Sequence, residues 1–173
     1  MLVVRPTDEL SGETLAEIRS LLDDAFGGEF DEHDWEHCLG GQHVLAYSGD
    51  RLVAHACVVE RTLRCGDVPL RTGYVEAVAV RPGEQGHGHG RAVMAASATL
   101  IEDGYEMGAL CTGKPAFYER LGWKLWRGPS YVDAADGLRA TPEEDGAILV
   151  LPVAGPADLT EPIVCDWREG DVW

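Results

Sequence analysis

The sequence predicts a single α/β domain of the α+β kind, and three features carry that expectation. Apolar runs broken by turn residues recur between positions 44 and 80, which reads as strands returning on one another in antiparallel hairpins. One run, Val75–Val80, passes through a glycine-rich turn into a helical pattern that ends at Gly104. A chain of 173 residues suits one domain with one core.

Taken in order, Leu2-Val3-Val4 reads as a first strand, closed at Arg5-Pro6 because proline brings no N–H to a ladder. Thr7 or Asp8 is placed to cap a helix with apolar residues at Leu15, Ile18, Leu21, Leu22, Ala25 and Phe26, stopped by Gly27-Gly28. A shorter helix is expected from an Asp31 cap to Leu39, ended by Gly40-Gly41. Around it lies an acidic patch, Glu29, Asp31, Glu32, Asp34 and Glu36, interleaved with His33, Trp35 and His37. Two readings stand for this patch. It is a solvated helix face in an acidic protein, or its carboxylates meet the ammonium groups of a cationic ligand, with Trp35 packed beneath or on a sugar-like face. His33 and His37 stand at i, i+4, yet neither an H-E-x-x-H pattern nor a third ligand accompanies them, so no metal is expected.

Val44–Tyr47 and Leu52–Val59 flank Ser48-Gly49-Asp50, a hairpin signal. Thr62–Cys65 leads through Gly66-Asp67 to Leu70-Arg71 and Tyr74–Val80, a second antiparallel return. His55, inside a strand, is expected as a hydrogen-bonded interior residue. After Arg81-Pro82-Gly83 the chain reads Gln85-Gly86-His87-Gly88-His89-Gly90 and then turns helical, with Ala92, Val93, Ala96, Leu100 and Ile101 on one face. A glycine turn between strand and helix presents backbone N–H groups at the positive end of the helix dipole, which suits a phosphate or pyrophosphate. The spacing excludes the dinucleotide fingerprint G-x-G-x-x-G, and no Lys-Ser or Lys-Thr completes a P-loop. It fits [QR]-x-x-G-x-[GA], a pattern that is weak alone and stronger with its strand and helix attached. Met107–Thr112 follows as a buried strand, Pro115 to Gly122 as a short helix bracketed by proline and glycine, Glu143-Glu144-Asp145 as a turn, and Ala147–Val153 as a last strand. The chain closes on Cys165-Asp166-Trp167-Arg168-Glu169-Gly170-Asp171-Val172-Trp173, and an aromatic last residue is unusual for a free tail.

Charge narrows the partners. Thirty acidic residues against 14 basic give a formal charge of −16, a poor field for nucleic acid or an anionic membrane and a good one for a polycation, unless it only serves solubility. Five scattered cysteines without a C-x-x-C pair read as reduced thiols. The absence of a signal-like start or a long apolar span points to a cytoplasmic protein.

Gln85-x-x-Gly88-x-Gly90 after Val78-Ala79-Val80, followed by Ala116-Phe117-Tyr118 and Gly122-Trp123, resembles the Gcn5-related N-acetyltransferases. Phe26-Gly27-Gly28-Glu29-Phe30, Asp34-Trp35-Glu36-His37, Gly73-Tyr74-Val75-Glu76 and the closing residues from Cys165 to Trp173 resemble, more narrowly, the aminoglycoside 2′-N-acetyltransferases of mycobacteria and related actinobacteria. The resemblance spans essentially the whole chain. It implies one N-acetyltransferase domain over 1–173, a mixed, mostly antiparallel twisted sheet flanked by helices, with its acetyl-CoA core at about 74–125. It implies acetyl transfer from acetyl-CoA, without a metal, to the 2′-amine of an aminoglycoside, by a homodimer. Val78, Ala79 and Val80 would then bind pantetheine, and Gln85, Gly86, His87, Gly88, His89 and Gly90 the pyrophosphate. Glu29, Asp34, Glu76, Ala77, Cys111, Glu144 and Trp173 would contact the aminoglycoside. Against the family pattern, Glu replaces Asp at 29 and 144, Ala replaces Gly at 77, and Cys111 stands where a serine is expected.

The implied chemistry is direct attack in a ternary complex. Glu76 would take the ammonium proton through a water, with the Trp173 carboxylate sharing it; alternatively Glu76 is an ion-pair partner. The Val78 N–H would meet the oxyanion, and Tyr118 would protonate the leaving thiolate or simply pack in its helix. The rivals are the same fold acting on a peptide, polyamine or cell-wall amine, a non-catalytic CoA-binding module, and a metal protein built on His33, His37, His87 and His89.

Overall fold

The computed structural model describes residues 1–154 and 158–173. The chain forms two compact units, residues 1–59 with 75–99 and residues 60–74 with 100–173.

In the first unit β1 (Leu2–Pro6) pairs antiparallel with β2 (Gln42–Ser48), and β2 pairs antiparallel with the first part of β3 (Arg51–Cys65). Helix α1 (Gly12–Phe26) buries Ile18, Leu21 and Leu22, three of the apolar positions that its periodicity marks. Its cap differs from expectation. Thr7–Glu9 forms a 3-10 turn, and Ser11 is the N-cap, accepting the Thr14 N–H at 3.1 Å. Thr7 is instead bound to the far end of α2 (Glu32–Cys38), where its hydroxyl accepts the Gly40 N–H at 2.9 Å. At the other end of α1, Gly27 takes the left-handed conformation expected of a helix stop, with φ +65°. Helix α2 starts as expected at Asp31, in a capping box with Asp34. The unit closes with the last residues of β4 (Val68–Val80), a glycine turn and α3 (His89–Gly104) as far as Thr99.

His55 is the hydrogen-bonded interior residue expected of it. Its Nδ1 lies 2.8 Å from the Ala77 carbonyl oxygen and its Nε2 lies 2.9 Å from His43 Nδ1, and both rings are fully buried. Sequence analysis did not single out His43.

The second unit is a sheet in the order β6-β9-β5-β4-β3-β10-β7-β8, of which β3 contributes residues 60–65 and β4 residues 68–74. The remaining strands are β5 (Met107–Cys111), β6 (Lys124–Leu125), β7 (Ser130–Ala134), β8 (Gly137–Ala140), β9 (Ile148–Pro152) and β10 (Ile163–Asp166). Pairing is mixed: β4 with β5 and β7 with β10 are parallel, while β5 with β9, β6 with β9, β7 with β8 and β3 with β10 are antiparallel. Helix α4 (Pro115–Glu119) is shorter than its proline and glycine brackets suggest, and Gly122 follows at φ +96°.

Two strand breaks expected from the sequence are absent. Residues 52–59 and 62–65 belong to one strand, and Arg61 within it is buried but bonded: its Nε donates to Asp166 Oδ1 at 2.9 Å and its Nη2 to the Asp166 carbonyl at 2.8 Å. Likewise β4 runs through Gly73, where a Cβ would meet Ile101 Cγ1 at 2.8 Å and Tyr105 Cδ2 at 2.9 Å. That glycine marks close packing rather than a turn.

Burial holds His43 down to about 4 and His55 to about 3, the latter helped by the neighbouring His43 ring. A histidine depressed by folding takes its proton first in the unfolded chain. Its contribution to stability is therefore complete above the ordinary value of 6.5 and is lost as pH falls toward the folded value. In chemical denaturation at pH 7 and pH 5, His43→Gln should shrink the pH-dependent loss of stability by up to about 2 kcal/mol. The same loss in both proteins would remove His43 as its source.

Candidate active site

Strand β4 changes character after Tyr74. Residues 72–74 are in register with β5, but Glu76, Ala77 and Val78 are three consecutive half-buried residues, which breaks the in-out alternation of a strand. The cause is Ala77, the one non-glycine residue at positive φ among those described, at +51°. An L residue in this region costs about 1 kcal/mol more than glycine. The chain is then anchored at Arg81, whose N–H reaches the Val53 carbonyl at 2.8 Å and whose guanidinium reaches Asp24 at 2.7 Å and the Leu52 carbonyl at 3.2 Å.

The glycine turn follows. Gly83, Gly86 and Gly88 all stand at positive φ, between +82° and +87°, and Ala92 N–H to Gly88 O at 3.0 Å opens α3. Among the described residues, no hydrogen bond is donated by the backbone N–H groups of Gln85, Gly86, His87, Gly88, His89 or Gly90. Helix α3 starts two residues before the expected Arg91, so His89 and Gly90 belong to its first turn, with His89 Nε2 3.6 Å from Glu84 Oε2. Open N–H groups at the start of a 16-residue helix suit an anion. Val78, Ala79 and Val80 lead into the turn, and the first unit thus contains every residue assigned to the coenzyme.

The same unit holds Glu29, Asp34 and Glu76. Glu29 is exposed just past α1. Asp34 is partly committed, since its Oδ2 accepts the Asp31 N–H at 3.0 Å. The patch is also less uniformly acidic than it reads, because Arg19 from α1 reaches Glu32 at 3.2 Å and Asp23 at 3.1 Å, with its guanidinium over the rings of Phe30 and Trp35. Trp35 therefore already has a cation on one face.

In the second unit Cys111, Glu144 and Trp173 belong to one hydrogen-bonded assembly. The Cys111 thiol donates to Glu144 Oε2 at 3.1 Å. Glu144 lies in a 3-10 turn, Pro142–Glu144, whose preceding residue Thr141 accepts the Glu144 N–H at 2.9 Å. The Thr141 hydroxyl accepts the Trp173 indole N–H at 3.0 Å and donates to Ser130 Oγ at 2.8 Å. The Trp173 side chain is buried, as its aromatic character suggested, and Arg168 donates to its backbone oxygen at 3.2 Å. Sequence reasoning missed Thr141 and Arg168; their signals, a Thr-Pro step and an arginine after a tryptophan, are too common to single out. Tyr118 is buried in α4, edge-on to Trp123, and burial pushes its phenol up to about 12, so it keeps its proton at neutral pH. Burial, with Glu144 beside it, pushes the Cys111 thiol well above its ordinary range.

Residues 7–126 match the acetyltransferase (GNAT) domain family, and the chain belongs to that family. It is 44% identical over 173 residues to the aminoglycoside 2′-N-acetyltransferase of Mycolicibacterium fortuitum, a match covering 96% of this chain and 89% of that protein. Among solved structures, a GNAT family N-acetyltransferase from Escherichia coli in complex with CoA superposes with a TM-score of 0.67 at 17% identity, over 95% of this chain and 89% of that one. A longer probable N-acyltransferase from Enterococcus faecalis superposes at 0.61 and 18% identity; the match covers 73% of this chain and only 33% of that protein's length. At such identities the structures speak for the fold alone. With the family and the mixed sheet both present, the expected fold class holds.

A thiol held this far from ionisation is a poor nucleophile. Native protein treated with iodoacetamide at pH 8 should leave Cys111 unlabelled while a free thiol control is saturated, as peptide mass spectrometry would read. Labelling at the free-thiol rate would mean that the bond to Glu144 is not kept.

Proposed function

We propose that this chain transfers the acetyl group of acetyl-CoA to the 2′-amine of an aminoglycoside, in one ternary complex and without a covalent enzyme intermediate. The observation that carries the transfer is the cradle of open N–H groups after β4, which fits a pyrophosphate. The acceptor class rests on the relative from Mycolicibacterium fortuitum and on the charge of −16, a field that gathers a polycation.

In this reading Gln85–Gly90 hold the pyrophosphate and Val78–Val80 the pantetheine arm. Glu29, Asp34, Glu76, Ala77, Cys111, Glu144 and Trp173 face the aminoglycoside. Attack on a thioester requires a neutral amine, so Glu76 accepts the ammonium proton through a water. The Val78 N–H stabilises the charge that develops on the thioester oxygen. Tyr118, protonated at neutral pH, gives its proton to the departing thiolate. Cys111, bound to Glu144, serves as a substrate contact rather than a nucleophile. The negative field disfavours nucleic acid and anionic membranes as partners, and no helix of the described residues is long and apolar enough to cross a membrane. The reading includes a homodimer acting in the cytoplasm, and sedimentation equilibrium reads its mass.

Free thiol released from acetyl-CoA, measured with kanamycin B and kanamycin A, tests the reaction and its position together. The first carries a 2′-amine and the second a hydroxyl there, so turnover with kanamycin B alone is expected. Equal turnover with both would move the acetylated position, and silence with both would sink the acceptor class. Tyr118→Phe should lower kcat roughly a hundredfold while leaving the acetyl-CoA KM nearly unchanged. In the wild type, no fall in rate from Tyr118 ionisation should appear below about pH 10, and an unaltered kcat in the variant would remove Tyr118 as the acid.

A further inference from the structure

We propose that Thr7, His43 and His55 form a directed hydrogen-bond chain that positions the Ala77–Val78 peptide, and with it the Val78 N–H. Its chemical consequence rests on the acetyl-transfer reading above, while the chain itself rests on geometry within the first unit.

The direction follows from one end. A carbonyl oxygen only accepts, so the hydrogen in the 2.8 Å contact with Ala77 O is carried by His55 Nδ1. A neutral imidazole carries one ring hydrogen, which makes His55 Nε2 an acceptor, and the hydrogen in its 2.9 Å contact belongs to His43 Nδ1. His43 Nε2 is then an acceptor too, and takes the Thr7 hydroxyl hydrogen at 2.8 Å. The Thr7 oxygen in turn accepts the Gly40 N–H at 2.9 Å. The competing acceptor for the hydroxyl, Gly41 O, is farther away at 3.3 Å. Both rings are fully buried, and burial keeps both neutral at pH 7, so a doubly protonated ring does not interrupt the sequence of donors. Every hydrogen from Gly40 to Ala77 thus points one way.

The far end matters because of what shares its plane. The Ala77 carbonyl and the Val78 N–H belong to one trans peptide and point in opposite directions. Whatever fixes the oxygen aims the N–H, and a hydrogen bond on the oxygen also polarises the amide toward a stronger donor. Ala77 stands at φ +51°, a conformation that its own side chain disfavours, so the peptide needs a hold from outside the strand. His55 supplies it. His55, His43 and Thr7 are positioning residues: they act on the transfer only through the backbone that they orient.

Leucine and asparagine branch at the same carbon, and only asparagine places an N–H where the imidazole Nδ1 stood. His55→Leu should lower kcat at least tenfold with the acetyl-CoA KM within about threefold, and His55→Asn should recover most of that rate. An equal loss in the two variants would overturn the positioning role. Nitrogen NMR of the wild-type rings is independent of any variant's folding. It should show both histidines as the neutral Nδ1–H tautomer between pH 6 and 8, and an Nε2–H or doubly protonated form of either would overturn the chain. A wild type that releases no thiol with any aminoglycoside fails the functional reading instead, and the ring tautomers still uphold or overturn the chain.

Discussion

A backbone N–H buried in a sheet must find an acceptor, and the stretch proposed for the coenzyme begins where β4 escapes that requirement. Up to Tyr74 the strand is in register with β5. Past it, a left-handed Ala77 breaks the alternation, Arg81 ties the strand end to Val53, Leu52 and Asp24, and three glycines at positive φ lead into α3. The N–H groups left open there gain the positive end of the helix dipole. No lysine or arginine occurs between Gly83 and Gly90, so within the turn an anion would be met by backbone dipoles. This matters in a chain of charge −16. Local amides can hold phosphates while the wider field still favours a cation, because dipoles act at contact range and net charge acts over a Debye length.

The second unit solves a different problem, that of giving polar groups inside it hydrogen-bond partners. Arg61 is buried and bonded to both the side chain and the carbonyl of Asp166. Thr141 accepts from Trp173 and donates to Ser130, so one hydroxyl ties the closing residues to β7 and to the turn that carries Glu144. Cys111 gives Glu144 a short neutral donor there. A serine in its place would make the same kind of bond with a harder oxygen, altering the contact's strength more than its geometry.

Much of this was legible because it depends on near neighbours in the chain. The face of α1, its glycine stop, the Asp31 cap, the proline and glycine around α4, and the spacing of the glycine turn all follow from residues within a few positions of one another. Errors arose where a local signal had a distant partner. The strand expected to end at Arg71 runs on through Gly73, a packing contact with Ile101 and Tyr105, and the one expected to end at Val59 runs on through Arg61, buried against Asp166. Thr7 looks like a helix cap and is instead bound to Gly40 and His43. Strands β6, β7, β8 and β10 were not foreseen, since runs of two to five residues next to Pro, Gly and Asp take their form from the strands beside them.

By itself the sequence determined the class of fold, the glycine turn and the residues that the family resemblance implies for the site, because glycine spacing, helix periodicity and family motifs are properties of contiguous chain. Tertiary structure alone decided how those residues are held. It set Ala77 in a left-handed conformation, joined its carbonyl through His55 and His43 to Thr7, bound Cys111 to Glu144, and buried Tyr118 so that its proton stays on. Hydrogen-bond direction, burial and the pKa shifts that follow from them depend on atoms dozens of residues apart, and no local pattern records that distance.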